Sequence, residues 1–245
     1  MSDPARHPEL HATLVRLARA AGAAIMAVRE SGMLDACAKD DASPVTRADL
    51  AADRLIWEGL RAAFPEIPVV TEERPETHGV DGDCFLVDPL DGTREFVKGA
   101  SDFTVNIALV AQGAPVAGVV LAPASGRLFV TDPQGGAIGL EPDGSARPLQ
   151  AATGATGRLR AVASVSHRDA ETAAWLDRLG PAEIRSAGSS LKFCLIAAGE
   201  ADVYPRFGPT MHWDTAAGHA VLAAAGGQVL RMPDLAPLRY PPGDR

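Results

Sequence analysis

Leu10, Leu14, Leu17, Ala18, Ala21, Ile25 and Val28 recur at helical spacing through "LHATLVRLARAAGAAIMAVRES", while Arg16, Arg19 and Arg29 fall mostly off that stripe. The pattern predicts a long amphipathic helix that stops at Gly32. A second helix follows "SPVT": Thr46 is a good N-cap, Asp49 puts negative charge near the helix start, and Leu50, Ile56 and Leu60 give an apolar side that ends before Pro65. The period then changes. "IPVVTEE" and "CFLVDPLDG" are short apolar runs that stop in acids, and "FTVNIALV" and "PVAGVVLAP" flank "AQGA" as a hairpin would. "GRLFVTD" and "AIGLE" read as further strands of a mostly antiparallel sheet.

The stretch "PDGSARPLQAATGATGR", roughly 142–158, is rich in Gly, Pro, Thr and Ser and reads as a linker. Beyond it, strands and helices alternate. "LRAVASVS", "AEIRSAG", "ADVYPRF" and "QVLRM" are the expected strands; "DAETAAWLDRLG", "SSLKFCLIAAG" and "WDTAAGHAVLAAAGG" are the expected helices. The expected organisation is an N-terminal α+β lobe over 1–150 and a C-terminal α/β lobe over 151–245, with some parallel pairing in the second.

Composition narrows the function classes. A chain of 245 residues supports one large domain or two small ones, and its net charge of −8, with no Lys/Arg cluster, argues against a polymeric nucleic-acid partner. Cys37, Cys84 and Cys194 are scattered with no paired spacing, as in a reduced, cytoplasmic protein. The start "MSDPARHPEL" has no apolar signal core, and the expectation is that no run reaches the roughly 18 apolar residues of a membrane span.

The acids are the unusual feature. "VDPLDGTREF" places Asp88 and Asp91 around a proline, next to Gly92 and Thr93, and Glu72 and Glu73 end the preceding apolar run. Two carboxylates about 4 Å apart repel by about 1 kcal/mol in water and about 4 kcal/mol at an effective dielectric near 20. Several in one cleft call for protonation or cations. With no His or Cys beside them, an oxygen-only set selects a hard ion, Mg²⁺ before Zn²⁺. The Leu90 carbonyl could be a further ligand, Gly92 could let a phosphate approach the main chain, Thr93 could hydrogen-bond the attacking water, and Glu72 could take its proton. The alternative is an Asp-rich turn with a solvated acidic edge. Asp214, at the start of an apolar helix, reads by itself first as an N-terminal cap, with a ligand delivered from the second lobe as the other role.

Together "TEE" at 71–73, "DPLDGT" at 88–93 and "WD" at 213–214 resemble the inositol monophosphatase superfamily of Mg²⁺-dependent, lithium-sensitive phosphatases. "SPVTRAD", "DPLDGTREF", "GSSLKFCLIAAGEADVYPRFGPT" and "WDTAAGHAVLAAAGG" look most like its CysQ-type 3′(2′),5′-bisphosphate nucleotidase branch, over about residues 10–230. The resemblance implies a layered αβαβα sandwich. It implies removal of the 3′-phosphate from adenosine 3′,5′-bisphosphate, with 3′-phosphoadenylyl sulfate as a further substrate. Glu72, Asp88, Leu90 (through its carbonyl), Asp91 and Asp214 would hold two or three Mg²⁺ ions, Asp88 bridging two of them. Glu72 and Thr93 would activate water, and Asp49 would reach a weaker ion through water. Gly92, Ser189, Ser190, Lys192 and Arg206, with Asp91, Thr93 and Asp214, would contact substrate; attachment to the inner face of the membrane is a further expectation.

Other readings stay beside these. Lys192 could be a solvated helix face, Ser189 an N-cap and Arg206 a lobe-interface ion pair. His212 reads as structural and His219 as a hydrogen-bonded packing residue, while His167 could contact nucleotide. Gly99 after Lys98, and Val165, depart from basic residues common in the family and its branch; the chain also ends soon after "PLRY". The rival functions are an inositol or sugar monophosphatase and a non-catalytic metal- and nucleotide-binding sensor.

Overall fold

The structure is a computed structural model, and it describes residues 8–34, 37–38, 44–153, 157, 159–164, 169–181 and 183–241. Helix α1 (Pro8–Ser31) leads through the short antiparallel pair β1 (Cys37–Ala38) and β2 (Pro44–Val45) to α2 (Arg47–Ala63). Then come β3 (Val69–Thr71), a 3-10 turn at Pro75–Thr77, β4 (Cys84–Asp91), α3 (Thr93–Val97), β5 (Thr104–Ala111), β6 (Ala114–Ala122), β7 (Arg127–Thr131), β8 (Ala137–Leu140) and β9 (Ala146–Pro148). These strands form one sheet in sequence order, β3–β4 parallel and every later pair antiparallel. The β5–β6 hairpin turns at Gln112 and Gly113, both with positive φ (52° and 71°), as a tight right-twisting turn requires.

The rest of the chain contributes β10 (Arg160–Ser164), α4 (Ala170–Leu179), β11 (Glu183–Ala187), α5 (Leu191–Ala197) and α6 (His212–Ala224). Strands β10 and β11 pair in parallel as a second, two-stranded sheet. Five layers result: α1 and α2, the large sheet, α5 and α6, the small sheet, then α4. Strand alternation assigns each side chain to a layer. Phe85, Val87, Val105, Ile107 and Leu109 pack with Leu14, Leu17, Ile25, Ile56 and Leu60 beneath α1 and α2. Leu86, Ala108 and Val110 pack on the other face with Phe193, Trp213, Ala217 and Val221. In the outer layers Val162 meets Leu195 of α5, whereas Ala161 and Ala163 meet Leu176 of α4. Each large side chain fully buried this way contributes roughly 1.5–3 kcal/mol.

The Ala-rich run of α6 has a packing reason. A Cβ on Gly118 of β6 would lie 2.8 Å from the Ala217 carbonyl oxygen, and one on Gly218 would lie 2.7 Å from the Phe193 ring. Small residues therefore let α6 lie flush between the sheet and α5, which brings the helix start to the ends of the strands.

Several expectations need correction. Residues 228–232 form no strand; Leu230 makes only an isolated bridge to Pro237, with Pro233 nearby unable to donate to a ladder. In "ADVYPRF" only Val203 bridges, to Ala161, and Pro205 again lacks an N–H. Within the expected linker, Ala146–Pro148 is the edge strand β9. Leu50 is exposed (55 %). Glu9–Ser31 is long and apolar enough to cross a membrane by length and composition, but Leu10, Leu14, Leu17, Ala21 and Ile25 sit in the core. Cys84 and Cys194 are free and buried.

Candidate active site

The site begins where β3 and β4 end together. Their parallel register pairs Thr71 with Val87, and the Glu72 N–H donates to the Val87 carbonyl at 3.1 Å, so Glu72 emerges beside Asp88. Thr71 and Arg74, on either side of the acidic pair, are both held by the buried Asp53 of α2. Thr71 Oγ1 donates to Asp53 Oδ1 at 2.7 Å, and Arg74 Nε donates to Oδ2 at 2.8 Å. The Arg74 guanidinium also lies over Trp57, 4.3 Å from the ring centre.

On the other side of β4, Asp88 faces Asn106 and Asp91 faces Thr104. Three steps along β4 thus match two along β5, a bulge where Pro89 removes a ladder donor. The Leu90 N–H turns back to Asp88 Oδ1 at 3.0 Å. Gly92 (φ 93°) then caps α3 in a conformation that only glycine adopts freely. Its missing Cβ makes room for the Ser189 hydroxyl, so the bare Cα serves contact between chain segments.

Thr93 opens α3, and its hydroxyl donates toward Asp49 Oδ1 (3.0 Å) and the Leu90 carbonyl (3.1 Å). Asp49 is buried behind it. Its Oδ2 accepts the Thr46 N–H at 2.7 Å and the Thr46 hydroxyl at 2.6 Å, the expected N-terminal cap of α2. Burial raises its pKa against the hydrogen bonds from Thr46 and Thr93.

From the other side of the cleft, α6 brings Asp214. Its Oδ2 accepts the Met211 N–H (3.1 Å) and the Thr210 hydroxyl (3.0 Å), so it caps its helix with one oxygen. Ser189, at φ 51°, donates its hydroxyl to the carbonyls of Asp91 (2.8 Å) and Asp102 (3.1 Å). Lys192 is buried, donates to the Ser189 carbonyl at 2.6 Å and sits 5.1 Å from the Tyr204 ring centre. Arg206 donates to the Pro209 carbonyl at 2.5 Å, and its buried Nε has no partner among the described residues.

Glu72, Asp88, Leu90, Asp91, Gly92, Thr93, Ser189, Lys192, Arg206 and Asp214 all line one cavity of about 820 Å³, with Glu73, His78 and Trp213 beside them. Two expected members do not line it. Asp49 lies behind Thr93, and Ser190 is buried with its backbone N–H on Asp91 Oδ2 (2.8 Å) and its hydroxyl on the Asp214 carbonyl. Neither Ser189 nor Ser190 caps α5 through its side chain. His219 is the hydrogen-bonded packing residue expected, 3.1 Å from the Tyr240 hydroxyl. Val165 and His167 lie outside the described residues.

The electrostatics follow from this crowding. Burial, then the charges of Glu72, Asp91, Asp214 and Glu73, hold Asp88 well above the ordinary carboxylate range. Asp91 is pushed up to about 6 by burial and Asp214, against Lys192, the Ser190 N–H and Arg206. Asp214 is raised as well, chiefly by burial. Lys192 is lowered to about 8 by burial. The acids thus share their cleft with two cations, both close enough to act on Asp91. Among the described residues no three His, Cys, Asp or Glu side chains form a finished metal shell. The donors nonetheless suit a hard cation: they are all oxygens, they line one cavity, and burial with their mutual charge raises the pKa of the buried members.

Three contributors escaped the sequence reading: Asn106, Asp53, and the His78 ring against Trp213, 4.9 Å between centres. A readable sign existed for the first. Asn106 interrupts "FTVNIALV", and an amide inside a run buried on both faces needs partners.

A five-layer α/β sandwich with an acidic cleft at the ends of β3 and β4, facing cations from a second layer, defines a phosphatase-type architecture. The chain belongs to the inositol monophosphatase family, whose sequence model matches residues 7–239. It is 48 % identical over 218 residues to a protein of Escherichia coli O157:H7 named 3′(2′),5′-bisphosphate nucleotidase CysQ, covering 87 % of each chain. A Buchnera aphidicola protein of the same name is 41 % identical, with 88 % of this chain and 82 % of the relative covered. Among solved structures, CysQ from Bacteroides thetaiotaomicron superposes with a TM-score of 0.77 at 34 % identity, covering 97 % of this chain and 94 % of that one. SuhB of Mycobacterium tuberculosis gives a TM-score of 0.75 at 27 % identity, over 97 % and 93 %.

Proposed function

We propose that this protein is a Mg²⁺-dependent 3′(2′),5′-bisphosphate nucleotidase that hydrolyses the 3′-phosphate of adenosine 3′,5′-bisphosphate to leave AMP and phosphate. 3′-Phosphoadenylyl sulfate is a second substrate. The observation that carries the reading is the convergence of Glu72, Asp88, Asp91 and Asp214 on one cavity that Lys192 and Arg206 also line. The CysQ names of relatives 48 % and 41 % identical support the nucleotide over an inositol or sugar phosphate.

Glu72, Asp88, the Leu90 carbonyl, Asp91 and Asp214 would hold two or three ions. Bound Mg²⁺ supplies the positive charge that offsets these carboxylates, acidifies water and stabilises the attacking and leaving oxygens. The chain's own groups do the rest. The Thr93 proton is engaged by Asp49 and the Leu90 carbonyl, so its Oγ is left to accept a hydrogen bond from the attacking water. Asp49 therefore acts through Thr93. Glu72 Oε takes the water proton as attack proceeds. Lys192 spends one of its N–H donors on the Ser189 carbonyl and keeps two for a phosphate; Arg206, with one N–H on the Pro209 carbonyl, lines the same cavity and adds its charge. A second phosphate on the ribose meets this positive charge, which a monophosphate bound at the acids leaves unused. Ser190 supports Asp91 and Asp214 and does not touch substrate.

Phosphate release from adenosine 3′,5′-bisphosphate, 3′-AMP and inositol 1-phosphate, with and without Mg²⁺, tests the reading. We expect kcat/KM for the bisphosphate to lead by at least tenfold and to vanish with chelator. Equal or reversed ratios would assign the chain to inositol or sugar phosphates. Mg²⁺ and nucleotide binding with no phosphate release would make it a sensor.

A further inference from the structure

We infer that Asn106 is a positioning residue for the acidic centre: its buried amide selects which oxygen of Asp91 remains for a cation, and through Ser190 it ties β4 to the start of α6. The inference rests on the reading of Asp91 and Asp214 as Mg²⁺ ligands. Asn106 is fully buried in β5, directly across from Asp88. By alternation it lies on the same face as Ala108 and Val110, toward α5 and α6, while Val105 and Ile107 face α1 and α2. Its Nδ2 donates to Ser190 Oγ at 3.0 Å and to Asp91 Oδ2 at 3.4 Å, which uses both amide protons. Its Oδ1 is buried and has no partner among the described residues. A flip of the amide would aim that oxygen at a carboxylate, so Asp91 dictates the orientation even though one acceptor goes unpaired.

The bonds have a direction. Ser190 Oγ accepts from Asn106, so its own proton goes to the Asp214 carbonyl. The Ser190 N–H goes to the same Asp91 Oδ2 at 2.8 Å. Two donors thus hold Asp91 Oδ2, and Oδ1 accepts nothing among the described residues. One amide fixes Asp91 on the sheet and, through one hydroxyl, registers the first turn of α6 against it. A strand covered on both faces would gain stability from Val or Ile at this position. The polar residue serves the site.

The test uses Asn106→Leu and Asn106→Ala in the full chain. The readouts are Mg²⁺ binding by calorimetry without substrate, and thermal unfolding in chelator. We expect the Kd for Mg²⁺ to rise at least tenfold while the chelated Tm of Asn106→Leu stays at or above wild type. A purely structural role would lower Tm and leave Kd alone, and that result, or wild-type Kd in either folded variant, overturns the inference. Wild-type protein that fails to bind Mg²⁺ would overturn the reading beneath it as well.

Discussion

Asp91→Asn separates a metal-binding cleft from a merely acidic turn, because the two predict opposite changes in stability. In the native protein Asp91 Oδ2 accepts from the Ser190 N–H at 2.8 Å and from Asn106 Nδ2 at 3.4 Å. An asparagine can offer its own carbonyl to both donors. Its NH₂ group then points toward neighbouring carboxylates, a favourable exchange where the aspartate had placed another negative charge. The magnitude follows from Asp91 being pushed up to about 6 from 3.8. The shift means that the ionised form is disfavoured in the folded chain by at most about 3 kcal/mol near neutral pH. The sign follows from linkage: for an acid raised on folding, the native state holds the proton longer, so stability falls as pH rises from about 4 to about 6 and stays low above that. The amide removes this penalty. Because Asp88 and Asp214 share the strain, we expect a net gain of about 1–3 kcal/mol, or roughly 3–10 °C in Tm for a chain of this size. The assay is thermal unfolding in chelator at pH 7.5, beside calorimetric titration with Mg²⁺ and phosphate release. Asp91→Asn should unfold later than wild type, bind Mg²⁺ at least a hundredfold more weakly and lose turnover. An unchanged or lower Tm together with intact Mg²⁺ affinity would refute the reasoning and return the acids to a structural turn.

Thr93→Val should lower kcat by about 10²-fold, the scale for losing a group that positions the attacking water, with Mg²⁺ affinity changed less than threefold; calorimetry and initial rates decide it. Asp53→Ala removes the clasp on Thr71 and Arg74 and leaves a half-buried guanidinium without its carboxylate, so urea unfolding should show a loss of about 2–4 kcal/mol. Turnover should fall with it, because Glu72 lies between the two anchors, and full activity at reduced stability would separate the clasp from the site. His219 is lowered to about 4 by burial and then by Arg239, so the native state resists the proton that the unfolded chain accepts near 6.5. Its contribution is complete above 6.5 and is lost as pH falls toward 4, at up to about 1.4 kcal/mol per unit. Unfolding of His219→Gln at pH 7 and pH 5 should show a shallower decline than wild type, and identical slopes would remove His219 as the cause.

The sequence revealed elements whose local chemistry agreed with their burial. The stripe of Leu10, Leu14, Leu17 and Ile25, the Thr46 cap and the Gln112–Gly113 turn each carry their own instruction, and each appears where the pattern placed it. The strands that failed to form beyond single bridges, at 201–207 and 228–232, have apolar residues but also a proline within or directly after them that spoils a ladder. Leu50 was misplaced because helical spacing gives a face, and only the packing of α2 says where that face ends; Leu50 lands on the rim of the cavity. The acids were legible for a different reason. Charge repulsion makes a cluster of carboxylates conspicuous in one dimension, whereas the amide and hydroxyl that orient them look ordinary until the strands pair.

That difference explains why Asp49, Asp88, Asp91 and Asp214 seemed to face a choice between structure and chemistry that the fold does not impose. A carboxylate has two oxygens. Asp214 gives Oδ2 to the Met211 N–H and the Thr210 hydroxyl, Asp91 gives Oδ2 to Ser190 and Asn106, and Asp88 gives Oδ1 to the Leu90 N–H. Each keeps its other oxygen. The cap, the turn and the strand tie restrict the rotamer, and the restricted rotamer leaves the remaining oxygen for a cation. Asp49 is the exception that supports the rule: Thr46 takes one of its oxygens and Thr93 the other, and it alone of the four does not reach the cavity. The number of oxygens spent on protein donors therefore predicts which aspartate substitutions weaken Mg²⁺ binding. Asn at 88, 91 or 214 should raise Kd, while Asp49→Asn should leave Kd near wild type and lower kcat through Thr93. Equal losses of Mg²⁺ affinity at all four positions would show that this division of labour is wrong.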